Sequence, residues 1–429
     1  MELKKGYKYT DAGIIPSDWS DKKLEELTAV IIDGTHHTPK YTSYGIPFLR
    51  VTDIQSNVID TEKLKFISIE EHRELIKRAK PEHGDLLLSK NGTIGISKVV
   101  DWDWEFSIFV SLALIKVRKS KVDVNFLEQV FRSNIISDQI SRRSKQGTVT
   151  NLHLEEIREF DIPLPPTKSE QSAIAKALTD MDELVHSLEK LIEKKQLIKL
   201  GAMQKLLNPF DEDGELKDGW SQVSYDEAFT FLSTATYSRS DLGGDGALYI
   251  HYGDIHTKFG THVDLNSEPV PALDIDKVAA YAKLKDGDLI MADASEDYDG
   301  IGKSFEVSGV GEKVVIAGLH TFLMRPKGDH FIDGFKGFIH EIVYVKSQLN
   351  QKATGLKVYG VSKNTLKDIL IPYPCETMQR QVVDALRDID CEILALSNKL
   401  EKNKKLKQGM MQALLTGQIR LEKPEQMET

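Results

Sequence analysis

Two long stretches of this chain place apolar residues at three- and four-residue spacing. Ile174, Leu178, Met181, Val185, Leu188 and Ile192 form one stripe, and Val382, Leu386, Ile389, Ile393, Leu396 and Leu400 form the other. Lys and Glu occupy the outer faces, so each stripe is the narrow seam of a coiled coil. A helix of ~38 residues extends roughly 55 Å at 1.5 Å per residue. Elsewhere the pattern shifts to short apolar runs broken by Gly, Asn and Asp, which predicts mixed β structure with irregular loops. A proline pair precedes each helix, in Asp161-Ile162-Pro163-Leu164-Pro165 and Leu370-Ile371-Pro372-Tyr373-Pro374. Proline lacks the N–H that a sheet interior needs and cannot enter a helix interior, so both pairs mark a strand exit.

The two stretches are copies of one another, offset by about 208 residues. Gln171/Gln379, Ala177/Ala385, Leu178/Leu386, Asp180/Asp388, Asp182/Asp390, Leu188/Leu396, Gly201/Gly409, Met203/Met411 and Leu207/Leu415 fall in register. The segments before the helices match more loosely. Residues 46–54, IPFLRVTDI, resemble 247–255, ALYIHYGDI; residues 83–88, HGDLLL, resemble 286–291, DGDLIM; Trp19 and Trp220 close a fainter pair. The expected fold is α+β: two mixed α/β bodies and two long helices in a pseudo-two-fold internal repeat. The boundaries are 1–165 and 210–374 for the bodies, 166–209 for the central helix, and 375–429 for the C-terminal helix and tail. Antiparallel pairing of the helices buries both seams and separates the bodies; the competing arrangement packs each helix on its own body. Two similar modules on a rigid spacer suit two copies of one partner about an approximate two-fold axis, or two sequence elements a fixed distance apart on a duplex.

A length of 429 residues implies two to three domains, and 40% hydrophobic with 28% charged residues is ordinary for a folded protein. No apolar run approaches the ~18 residues of a transmembrane helix, and the opening MELKKGYKYT has no secretion signature. Cys375 and Cys391 are too few for a disulfide framework or zinc cluster, so a reduced, cytoplasmic protein is expected. The net charge of −10 argues against nucleic-acid binding by the chain as a whole. Its distribution argues the other way, since residues 116–146 and 325–367 each hold eight Lys/Arg against three Asp/Glu. Phosphate attraction is local, screened within roughly 8–10 Å. The acidic surplus, including Asp293, Glu296, Asp297 and Asp299, lies largely elsewhere.

The sequence resembles the specificity subunits of type I restriction-modification systems along essentially its whole length. The resemblance is carried by residues 13–19, GIIPSDW; 33–39, DGTHHTP; 147–152, GTVTNL; and 162–166, IPLPP, followed by Glu170-Gln171 and the helix ending Met203-Gln204-Lys205-Leu206-Leu207. The second copy supplies Ile371-Pro372-Tyr373-Pro374 and Leu414-Leu415-Thr416-Gly417-Gln418-Ile419. No single motif is specific; two copies in this order are. The resemblance implies two target recognition domains, two conserved antiparallel helices, and recognition of a split site in double-stranded DNA. It further implies two methylase subunits carrying S-adenosylmethionine for adenine N6 methylation, and restriction subunits using ATP and magnesium as motor and nuclease. This chain itself would hold no cofactor, metal or membrane contact and would perform no catalysis, serving phage defence as a recognition subunit. The Asp33-Gly34-Thr35-His36 motif has no clear counterpart in the second body, where Thr234–Arg239 lies at the comparable place, so the second half-site should differ.

The residues themselves give little support to an enzyme. Asn208-Pro209-Phe210 lacks the second proline of an adenine methylase tetrapeptide and reads as a helix stop. Gly302-Lys303-Ser304 hints at a phosphate loop, but position 297 is Asp where that loop needs Gly; with its partner Gly92-Thr93-Ile94-Gly95 it reads as a hairpin turn. His36-His37 lacks a third ligand nearby. A coiled-coil adaptor without DNA contact remains as an alternative, against which the basic stretches count. The candidate DNA contacts in the first body are Thr35, His36, His37, Thr38, Lys40, Ser89, Lys90, Asn91, Thr93, Arg142, Arg143, Lys145, Gln146, Thr148 and Asn151. In the second they are Tyr237, Ser238, Arg239, His251, Tyr252, Ser295, His320, Lys352, Lys357, Tyr359 and Lys363. Arg, Lys, Gln and Asn can meet base edges in the major groove, while hydroxyls and backbone amides take phosphates.

Overall fold

The computed structural model describes residues 5–56, 59–143, 151–244, 246–355 and 357–421. The chain divides into two compact units, Met1–Glu189 with Asn398–Thr429, and Lys190–Ser397. Both divisions fall inside the long helices, Lys168–Leu206 and Glu376–Leu415. Each unit therefore holds part of both helices.

In the first unit an antiparallel sheet runs in the order Thr28–Asp33, Leu112–Val117, Leu86–Ser89, Ser97–Val99. A second sheet pairs Ile46–Leu49 in parallel with Ser107–Ile108, and antiparallel with Lys65–Ile67. In the second unit the corresponding sheet runs Phe229–Leu232, Thr321–Pro326, Leu289–Ala292, Ser304–Ser308, with His262–Asp264 added at its edge. Its smaller sheet pairs Gly246–Ile250 in parallel with Val314–Ala317. The central strands Leu86–Ser89 and Leu289–Ala292 are buried on both faces, which is why they are continuous apolar runs rather than alternating ones. Leu86 and Leu88 enter one core and Leu87 another; Leu289 and Met291 repeat the division against Ile290.

The repeat extends to individual hydrogen bonds. Gly84 and Gly287 both have positive φ, at 87° and 82°, and their N–H groups donate to the carbonyls of Val100 and Val307, each at 2.8 Å. The carboxylate that follows accepts from a backbone N–H at 2.8 Å in both copies, Glu82 to Asp85 and Lys285 to Asp288. A cation on the neighbouring strand neutralises it, Lys116 in one copy and Arg325 in the other, both at 2.7 Å. At the strand exits Pro163 and Pro372 lie in two-stranded edge pairings with Ser20–Lys23 and Trp220–Ser224, where a missing N–H is tolerated. Gln171 and Gln379 then fasten each helix start to its body. Gln171 accepts from Asp123 N at 2.8 Å and donates to the Pro165 carbonyl; Gln379 accepts from Ile332 N at 2.9 Å and donates to the Pro374 carbonyl.

The helices run antiparallel within each unit. In the first, Lys407 pairs with Asp182, and Lys404 with Glu189 at 2.9 Å. In the second, Lys199 pairs with Asp390 at 2.6 Å, and Lys195 with Glu392. Lys199 is the repeat equivalent of Lys407, and Asp390 of Asp182, so one bridge occurs twice. The seam divides differently from the expectation of helix-to-helix burial throughout. Ile174 and Leu178 join Leu414 and Leu415 in the core of the first body, and Met203, Leu207, Val382 and Leu386 join that of the second. Leu188 is buried, whereas Met181, Val185, Ile192, Ile389, Ile393, Leu396 and Leu400 are half-buried. The competing arrangement thus applies to the helix ends, and pairing to the middles. In the first unit Arg420 extends this closure, bonding to Glu170 and, at 3.0 Å, to Asp18, with its guanidinium 5.7 Å from the Trp19 ring.

The second core also encloses a polar chain, in which Tyr225 OH and His340 Nε2 lie 2.8 Å apart and His340 Nδ1 meets Ser304 Oγ. Burial pushes the imidazole from 6.5 down to about 3, so the folded state holds it neutral. Between those two values the unfolded chain takes up a proton that the folded chain refuses. The stability is therefore fully present above pH 6.5 and lost as pH falls towards 3, by about 1.4 kcal/mol per unit. His340→Gln removes this dependence. Urea titrations from pH 7 to 4 should show the wild type losing stability relative to H340Q at that slope, and parallel curves would exclude a neutral buried His340.

Candidate nucleic-acid interface

In the first body four loops meet at one end of the sheet. The strand Thr28–Asp33 leads into Gly34 and Thr35, whose N–H donates to the Ile108 carbonyl at 3.1 Å. Gly34 is required there, since a Cβ would stand 2.0 Å from the Ile108 oxygen. Lys90 N donates to the Ser111 carbonyl and Leu152 N to the Lys90 carbonyl, both at 2.8 Å, and Asn91 and Asn151 form a backbone bridge. Asp33, which is 3% exposed, organises the cluster. It contacts Arg78 at 2.6 Å, His36 at 3.2 Å and Lys90 at 3.5 Å. Burial alone would raise its pKa, but Arg78, His36 and Lys90 together hold it below the ordinary carboxylate value.

This geometry brings His36, His37, Thr38, Lys40, Thr93 and Asn151 to the surface, with Asn91 half-buried. Thr35, Ser89 and Lys90 are buried, which corrects their reading as surface contacts. Thr35 Oγ1 lies 2.8 Å from His37 Nδ1, Ser89 Oγ accepts from Ile96 N at 2.8 Å, and Lys90 turns inward to Asp33. Their chemistry shapes the loops. Arg142 is exposed on the helix Asn134–Arg143. Lys145, Gln146, Thr148 and the side chain of Arg143 lie outside the described residues.

In the second body Ser238, Arg239, Tyr252, His320, Tyr359 and Lys363 are exposed or half-buried around equivalent loops, and Tyr237 is held by its hydroxyl to the Lys277 carbonyl. Arg239 donates to the buried Asp254 at 2.9 Å, Tyr252 and His320 rings stand 5.5 Å apart, and Tyr359 packs on Tyr298 at 4.1 Å. Lys363 lies 5.1 Å over the Phe231 ring. His251 and Ser295 are each 7% exposed, another correction. His251 accepts from Gly253 N at 3.0 Å, and its pKa is lowered first by burial and then by Arg239. Ser295 Oγ accepts from Asp297 N at 3.3 Å.

Linear charge counting overstated the basic surface. Lys116, Arg132, Arg325, Lys336 and Lys367 are all engaged by carboxylates of their own unit. Lys352 and Lys357 remain exposed. Sequence reasoning also missed Asp33 as the hub, Arg78 as its partner 45 residues away, and Asp293, which it counted among the acids set apart from the site. The would-be phosphate loop is a turn in which Gly302 has φ 71° and Lys303 donates to the His256 carbonyl at 2.9 Å. Asn208 caps its own turn, accepting from Phe210 N at 3.2 Å. If Lys352, Lys357 and Lys363 touch phosphates, each Lys→Gln change should weaken binding to all duplexes alike. It should also flatten the slope of log K against log salt by about 0.9. Salt titrations of the four proteins check this; an unchanged slope would remove that lysine from the interface.

Residues 16–199 match the family described as the type I restriction modification DNA specificity domain. The chain is 26% identical to a putative type I restriction enzyme specificity subunit, MjaX, of Methanocaldococcus jannaschii, over 97% of both chains. It is 24% identical to the MjaVIII specificity subunit of the same organism, over 73% of this chain and 74% of the relative. A solved chain from work on complex assembly and conformational transition of the type I R-M system superposes with a TM-score of 0.60 at 17% identity, covering 94% of this chain and 99% of that one. The type I S subunit of M. genitalium does so with 0.55 at 14%, covering 96% and 98%. The structural likenesses establish the fold, and the sequence likenesses run through both repeats. Residues 16–199 thus match the DNA specificity domain of type I restriction-modification systems, and over nearly its full length the chain is similar in sequence to their specificity subunits.

Proposed function

We propose that the chain reads a two-part target in double-stranded DNA, one half with each body, and performs no catalysis itself. It scaffolds two methylase subunits, which carry S-adenosylmethionine, and motor-nuclease subunits that use ATP and magnesium. The observation that carries this reading is the repeated loop cluster, built on equivalent backbone hydrogen bonds but bearing different side chains in the two bodies. Equivalent scaffolds with different reading residues suit two different half-sites. The acidic surplus of the chain means that stable DNA binding relies on the partner subunits.

The test is a modified-base map of genomic DNA from cells with the methylase, with and without this chain. The expected outcome is a split motif of two short halves around a fixed gap, methylated on adenine and lost without the chain. An unchanged map, with the methylase present and active, would favour the coiled-coil adaptor. A second expectation concerns the spacer. Inserting four residues within 185–200 adds about 6 Å of helix, close to two base pairs at roughly 3.4 Å each. The same map should then show a longer gap between unchanged halves; an unchanged gap with methylation retained would show that helix length does not set it.

A further inference from the structure

One backbone junction stands in both bodies with opposite charge upon it. Asp293 N donates to the His320 carbonyl at 3.1 Å and Val361 N to the Asp293 carbonyl at 3.0 Å. These are the bonds that Lys90 makes with Ser111 and Leu152 in the first body. The strand registers agree, since Leu112 faces Ser89 where Thr321 faces Ala292. Lys90 and Asp293 are therefore equivalent, as are Ser111 and His320, and by the same register Asp33 corresponds to Ser233. The carboxylate has changed sides of the cluster.

The change alters what the carboxylate can do. Asp33 is sealed by Arg78, His36 and Lys90, and its side chain is 5% exposed. Asp293 keeps 28% of its side chain exposed and has His320 Nδ1 at 3.2 Å as its partner. His320 is the one non-glycine with positive φ among the described residues, at 58°, and strain of this kind persists where the surroundings enforce it. Its ring is braced by Tyr252. Asp293 and His320 line a cleft with Thr234, Thr236 and Lys363. Lys363 can meet a phosphate there, but an ionised Asp293 is repelled by one. A carboxylate only accepts hydrogen bonds. In the major groove the matching donors are cytosine N4 and adenine N6, whereas guanine and thymine present oxygen acceptors at those places.

We propose that Asp293, oriented by His320, selects a base with an exocyclic amino group, cytosine or adenine, at one position of the half-site read by the second body. This rests on the function proposed above. The test uses the full chain with its methylase, as wild type, Asp293→Asn and Glu312→Gln, titrated with duplexes carrying the mapped motif and each single base-pair change within it. The wild type and E312Q, altered on an exposed turn, should lose on the order of tenfold or more in affinity when one cytosine or adenine of one half is replaced. D293N should lose that preference there and keep the rest. D293N discriminating like the wild type overturns the inference and leaves the proposed function standing; a wild-type complex without any sequence preference overturns the function itself. If D293N unfolds at a lower temperature, His320→Gly decides, since glycine accepts the positive φ and removes the orienting ring. The same position should relax, and retained discrimination overturns the inference.

Discussion

Neither body can close its core with its own residues. The first needs Ile174, Ala175 and Leu178 from the end of one long helix, and Leu414 and Leu415 from the end of the other. The second needs Met203 and Leu207, with Val382, Val383 and Leu386. Removing either helix end would open a core to water, and large cavities in cores are among the most destabilising changes a protein can suffer. This mutual dependence explains helices of 39 and 40 residues whose middles are only half-buried. Their ends are anchored by burial and by the glutamine latches, while doubled ion pairs such as Asp182–Lys407 and Asp390–Lys199 fix the antiparallel register. The surface pairs add specificity of alignment more than stability.

Against that shared frame the two bodies economise on charge in the same way. Lys116 and Arg325 neutralise equivalent buried carboxylates, so part of each basic stretch is spent on folding rather than on a nucleic-acid surface. What differs lies in the loops. The first body gathers its cations around a sealed Asp33, and the second leaves Asp293 partly exposed beside aromatic and histidine rings. A rigid backbone carrying variable side chains is the arrangement expected where recognition has to change without loss of fold.

The long helices, the proline exits and the pairing of Gln171 with Gln379 were legible because each is a local or periodic pattern. The family resemblance rested on the same features. What the sequence concealed was burial set by distant partners. Ser89 and Lys90 look like polar loop residues, yet Ile96, leading into the neighbouring strand, and Asp33, two strands away, claim them. His251 and Ser295 are turned inward by bonds to Gly253 and Asp297 that belong to local turns a pattern search does not resolve. In the sequence Asp293 shows only as negative charge, because its equivalence to Lys90 emerges from strand register and not from residue similarity.

Because Arg420 reaches back to Asp18 and Glu170, the two units stand in opposite relation to the ribosome. The second is a single continuous run, Lys190–Ser397, and all of its parts have been made once Ser397 emerges. The first begins earlier but is discontinuous, and its core waits for Leu414 and Leu415 at the far end of the chain. The unit synthesised first is thus the last that can mature, and until then it carries an unfilled apolar seat, the kind of surface that chaperones hold. Truncation of the final turns of the chain would be felt most by the domain at its beginning.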